Sequence, residues 1–303
     1  MLFQKKIRKE RWLMKRSKGK VNREKLVAIS MLWPSLLGVL MFFVLPFAVI
    51  CYYSVIDGVM SHNFVGLDNF IRLFQNSAFL IAAKNTLVFS AIAVPLAVIL
   101  ALGLALLLEA RIPLKSQFRS FFLSPMMVPV ASVVLVWQVV FNFNGVLNQW
   151  TALLGIPAID WLSSPYGKIA IVILFLWKNL GYNMILFMAA LSNVPRDLLE
   201  VAALDTSSQW FIFTHIKLRW LSPTLLFVTI LSLINSFKVF REVYLLTGNY
   251  PHESLYMLQH FMNNTFSDYQ KLASAAIVMA IAMVILIAIL FYLEDRFGKD
   301  VEG

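Results

Sequence analysis

Six long apolar runs, at about 27–54, 84–108, 119–142, 169–192, 223–246 and 272–293, dominate this chain. Each is long enough to cross about 30 Å of hydrocarbon as a helix. Inside lipid a spanning segment must satisfy its own backbone N–H and C=O groups, and a helix does so alone. The runs therefore predict an all-α polytopic membrane protein with six transmembrane helices. Composition agrees, with 60% of the 303 residues hydrophobic and 14% charged. A soluble domain carries about a quarter charged residues. Pro34 and Pro46 lie within the first run and predict a kink there.

The net charge is +10, and its distribution argues against nucleic acid as the partner. Eleven of the 26 Lys and Arg precede the first run, where a basic arm is held beside anionic membrane lipid. Arg111, Lys115 and Arg119 follow the second run, and Arg196, Lys217 and Arg219 follow the fourth. The other connections are poor in bases, so both termini are expected in the cytoplasm. Lys238 and Arg241, near the outer end of the fifth run, go against this trend. The predicted organisation is a basic cytoplasmic arm over 1–26, a transmembrane domain over 27–294 and a cytoplasmic tail over 295–303. The arm reads either as an interfacial helix or as a disordered basic tail. The first run has no small-x-small cleavage site and reads as an uncleaved span. The single cysteine, Cys51, reads as a packing residue.

Two connections have helical patterns of their own. In "GVLNQWTALLG", 145–155, Val146, Leu147, Trp150, Leu153 and Leu154 share one side, which predicts a short interfacial helix. The second is "NVPRDLLEVAALDTSSQWFIFTHIKLRWLSP", 193–223. Pro195 suits the start of a helix, and Asp197 and Glu200 complement its positive end. Leu198, Val201, Ala202 and Asp205 fall at helical spacing. Thr206 followed by Gln209 is a capping-box pattern that predicts a second helix. A plain connector needs only a few residues. About thirty residues in two capped helices suggest a piece built to dock.

This segment resembles the EAA loop of permease subunits in bacterial ATP-binding-cassette (ABC) importers. Glu200, Val201 and Ala202, then Asp205, Thr206 and Ser207, then Ile216, Leu218 and Pro223 follow that pattern. Thr206 replaces the usual glycine and Arg219 the usual proline. "FVGLDNFIRLF" (64–74), "GVLNQWTALLGIPAIDWL" (145–162), "LGYNMILFMAALSNVPRDLLEVAALD" (180–205) and "SFKVFREVYLLT" (236–247) are similar to carbohydrate permeases of the maltose and glycerol-phosphate type.

The resemblance implies a subunit in a bacterial cell membrane that pairs with a second, different permease. It implies two ATP-binding subunits that use ATP and Mg, and an extracytoplasmic solute-binding protein. The solute would be a carbohydrate, an oligosaccharide in the first instance. Glu200, Val201, Ala202, Asp205, Thr206 and Ser207 would form the coupling helix that grips the ATPase. Glu200 would be its charged contact, Ala202 its close-packing one, and Asp205 would fix the turn. The chain would bind no cofactor of its own.

Polar residues inside spans are costly and mark bundle interiors or wet paths. Trp177, Gly181, Tyr182 and Asn183 in the fourth run and Ser232, Asn235 and Ser236 in the fifth are the candidate substrate path. Amides and hydroxyls beside aromatic rings suit a sugar. The same groups also serve as hydrogen bonds between helices in lipid, and both readings stay open. The chain has no G-x-x-x-x-G-K-S/T phosphate loop, no H-E-x-x-H and no G-x-S-x-G. Catalytic and metal-ligating residues are therefore not expected, and neither is enzymatic activity. The rival reading is a gradient-driven secondary transporter or facilitator. It would call for acidic or histidine relays within spans.

Overall fold

The computed structural model of the chain describes residues 27–109, 114–206 and 208–298. The basic arm, Ser207 and most of the predicted tail lie outside them. Among the described residues the structure is helical, with one isolated bridge between Ile56 and Phe64. Six stretches are long and apolar enough to cross a membrane.

The first is α1 (Val27–Ser54). It carries a π turn over Leu40–Val44, just before Pro46. Proline has no N–H and its ring crowds the carbonyl four residues back. Widening the preceding turn is one way to relieve both. A short helix, α2 (Asp68–Phe74), follows. The second span, α3, covers Ser77–Glu109 and begins earlier than the apolar run predicts. Asn76 explains this, because its Oδ1 accepts from the Phe79 N–H at 3.1 Å and caps the start.

The third run departs most from expectation. In place of one helix over 119–142 there are α4 (Lys115–Met127) and α5 (Val130–Phe141). Val128 is extended and Pro129 caps α5. A residue before proline is pushed out of the helical region, which breaks the run there. The crossing-length stretch is Val130–Leu153, so it takes in α6 (Val146–Leu153), the segment expected to be interfacial. Asn148 anchors α6. Its amide donates to the carbonyls of Phe143 and Ile159, and its carbonyl accepts from Trp161 Nε1 at 2.8 Å. Trp150, Leu153 and Leu154 are left exposed on its outer side.

The fourth span, α7 (Gly167–Ser192), runs into α8 (Arg196–Asp205). Next come α9 (Gln209–Ile212), a π turn (Phe213–Lys217) and a last turn (Leu218–Trp220). The fifth span is also divided, into α10 (Ser222–Phe237) and α11 (Phe240–Thr247). A short α12 (Leu258–Asn264) precedes the sixth span in α13 (Tyr269–Gly298), which continues past 294.

The core is built around α3. Ala93, Ala97, Ala101 and Ala105 are fully buried at four-residue spacing. This small-residue seam lets α7 approach closely, and lipid-embedded helices gain their association mainly from such contact. Polar residues of α3 tie down the connection between α11 and α13. Asn85 donates to the carbonyls of Glu253 and Tyr256, and Thr86 accepts from the Leu258 N–H. α1 packs on α13, and neither has a buried face along its apolar window.

Candidate translocation path and coupling elbow

A cavity of about 910 Å³ opens between α7, α10 and α11. Drug-sized ligand sites run to about 300–1,000 Å³. α7 contributes Phe175, Lys178, Asn179 and Tyr182 to its wall, and α10 contributes Leu231 and Asn235. The break at Lys238 and Val239, the first turns of α11, Met126 and Gln259 complete it. The break comes from a tight turn in which the Lys238 N–H donates to the Asn235 carbonyl at 3.1 Å. It re-aims α11 so that Glu242 points inward and forms an ion pair with Lys178 on α7.

The candidate path residues divide into two groups. Tyr182 and Asn235 line the cavity, and Asn235 donates to Asn179 Oδ1 at 2.9 Å. The others are not on its wall. Asn183 and Ser232 are buried and bonded to each other across α7 and α10 at 2.9 Å. Ser236 is buried against Ser90 of α3 at 2.7 Å. Gly181 lies against α4, where an added Cβ would sit 1.8 Å from the Phe122 carbonyl oxygen. Trp177 meets Trp137 edge to face. These four contacts are helix-to-helix joints, the other role open to such residues in lipid.

Residue pattern offers Glu242 as a partner for Lys238 and Arg241 and passes over Lys178, its actual partner, although a signal for Lys178 is present. Lys178 is an isolated charge inside an apolar run, whereas Glu242 has Arg241 beside it and Lys238 four residues before it. In-span charges are placed where they can pair. Glu242 is 5% exposed, and Lys238 and Arg241 stand free of it.

The elbow between spans four and five has the opposite character. None of the described side chains of α8 is buried. Leu198, Val201 and Leu204 are exposed, Leu204 at 87%, and their spacing puts them on one face. Glu200 is exposed and Ala202 half-buried. Asp205 is the last residue of α8. The capping pattern is shifted two residues from Thr206. Ser208 is the N-cap, its Oγ accepting from the Phe211 N–H at 3.3 Å, while Thr206 Oγ1 accepts from the Ser208 N–H. Three adjacent hydroxyl residues give the cap a choice of register that the pattern alone does not fix. Lys217 Nζ pairs with Glu109 Oε2 at 2.7 Å and ties the elbow to the end of α3.

Fold and site together define a helical membrane protein with a cavity between spans and an exposed apolar face on the elbow helix α8. Residues 93–303 match the binding-protein-dependent transport system inner membrane component family, and the chain belongs to it. It is thus a multi-pass permease subunit of an ABC-type importer. It is 30% identical to the trehalose/maltose transport system permease protein MalF of Thermococcus litoralis, over 92% of this chain and 96% of that one. It is also 30% identical to the lactose transport system permease protein LacF of Rhizobium radiobacter, over 80% and 83% respectively. A chain of a bacterial ABC transporter involved in import of the acidic polysaccharide alginate has the same fold. Its TM-score is 0.79 at 21% identity, covering 93% of this chain and 99% of that chain.

Proposed function

We propose that this chain and a second, unlike permease enclose the path of a carbohydrate of oligosaccharide class, and that α8 docks on a separate ATPase subunit in the cytoplasm. One observation carries the reading. The helices that wall the cavity, α7 and α10, are the two that flank the elbow. A displacement of a docked α8 then reaches the cavity wall through rigid helices, as a two-state element requires. Relatives named for trehalose/maltose, lactose and arabinooligosaccharide transport support the solute class. So do the amides of Asn179 and Asn235 beside the rings of Tyr182 and Tyr244. Glu200, Val201, Ala202, Asp205, Thr206 and Ser207 are assigned to the ATPase contact. A solute-binding protein outside the membrane would deliver the sugar, and two ATPase subunits would bind ATP and Mg.

The test is copurification of the ATPase together with sugar-stimulated ATP hydrolysis by the reconstituted complex. Deleting 197–210 is expected to abolish both. An ATPase that still copurifies with the deleted chain, or uptake that follows an ion gradient and ignores ATP, would overturn the proposal.

A further inference from the structure

The cavity wall carries more positive than negative charge. It holds Lys178, Lys238 and Arg241 against one carboxylate, Glu242. The Lys178–Glu242 pair cancels one charge of each sign. Among the described residues no carboxylate comes within ion-pair distance of Lys238 or Arg241. Two exposed cations thus remain without a carboxylate partner on the cavity wall, open to a ligand that enters it.

Two further features point the same way. Glu242 Oε1 takes the Lys178 ammonium, but the buried Oε2 has no hydrogen-bond donor. It can accept from a ligand hydroxyl. α11 also starts at this wall, and the N–H groups of a helix's first turn have no partner within the helix. Phe240, Tyr182 and Tyr244 supply ring faces alongside.

We propose that the cavity selects a saccharide bearing an anionic group, a carboxylate, sulfonate or phosphate. The anion lies between Lys238 and Arg241, and a sugar hydroxyl donates to Glu242 Oε2. A neutral sugar would leave both cations unpaired. The inference rests on the carbohydrate reading above and narrows it.

The test is calorimetric binding to the complete transporter complex in phosphatidylcholine nanodiscs, with the solute-binding protein left out. The probes are three matched pairs: a uronic-acid trimer and its methyl ester, a sugar phosphate and the free sugar, and a sulfonated sugar and its unsulfonated counterpart. In at least one pair the charged member is expected to bind about tenfold more tightly, about 1.4 kcal/mol. Raising the salt from about 50 mM to about 500 mM should shrink that advantage. The Lys238→Gln/Arg241→Gln double variant should erase it. If that variant fails to assemble, the salt series on the unaltered complex decides. Equal binding within every pair overturns the inference and leaves the carbohydrate reading in place. So does a preference that survives the double variant. If the cations serve a neighbouring subunit or lipid headgroups, the unaltered complex shows no charge preference. No binding by any of the six probes removes both readings.

Discussion

The packed helices beside the cavity and the elbow handle mismatched groups in opposite ways. Around the cavity, polar side chains sit among apolar helices, and most are matched within the chain: Asn183 with Ser232, Ser236 with Ser90, Lys178 with Glu242. In the elbow, apolar side chains stand outside the spans, and Leu198, Val201 and Leu204 are left exposed among the described residues. A polar group in hydrocarbon must be paired before the helices can pack. An apolar face on a connecting helix can wait for a second protein. On the proposed docking of α8, where each kind of mismatch is resolved separates what this chain does alone from what it does in a complex.

The largest expected effect lies at the joint where α7 meets α4. Gly181→Val places side-chain atoms into the Phe122 carbonyl. Overpacking typically costs about 1–3 kcal/mol, and backbone is a harder obstacle than a side chain. The variant should reach the top of that range or exceed it, seen as loss of folded complex in a detergent thermal melt. A variant that melts like the parent would show that Gly181 faces open space. Next is Lys178→Met, which strands the Glu242 carboxylate. Breaking a fully buried pair costs about 3–5 kcal/mol. The Lys178 side chain is 37% exposed, so screening by solvent reduces the expectation to about 2 kcal/mol. Adding Glu242→Leu should recover most of that stability.

Leu204→Asp sharpens the comparison from the other side. Leu204 touches little in its own chain, so the melt should stay within about 0.5 kcal/mol of the parent. Affinity for the ATPase subunit, measured by titrating it onto the permease complex, should fall about tenfold, equivalent to about 1.4 kcal/mol. A destabilised chain with unchanged ATPase affinity would reverse the distinction between the two regions.

Much of this contrast is legible in the sequence because it depends on local pattern. The six runs, the Pro195 start of the elbow and the exposed stripe beginning at Leu198 follow from residue spacing. Of the candidate path residues, Tyr182 and Asn235 line the cavity, whereas Gly181, Asn183, Ser232 and Ser236 serve joints. Periodicity puts a residue on a helix face but does not say which neighbour that face meets. The division of the fifth run at Lys238 was hidden for a related reason: neither Gly nor Pro stands there. The inward turn of Glu242 depends on Lys178, sixty-four positions away. The break at Pro129 did have a local cause, and the apolar run obscured it.

Among the described residues one buried polar side chain departs furthest from the rule for the interior and offers the finest test of it. His260 of α12, in the connection after the fifth span, is fully buried, and neither ring nitrogen has a hydrogen-bond partner. The Phe240 ring lies edge to face with it at 4.6 Å, and Tyr256 is at 6.0 Å. Burial pushes its pKa down from 6.5 to about 4, so the folded protein holds the ring neutral. The unfolded chain takes up a proton near pH 6.5 and the folded one near pH 4. The contribution of His260 is thus fully present above pH 6.5 and is lost as the pH falls towards 4, by at most about 1.4 kcal/mol per unit. Hydrogen exchange of the α12 amides, corrected for intrinsic rate, should show protection declining through that window. His260→Phe keeps an aromatic ring beside Phe240 and removes the titration, so its profile should be flat. A parent profile equally flat would mean that the ring has a partner after all, and that the interior of this chain leaves no histidine unmatched.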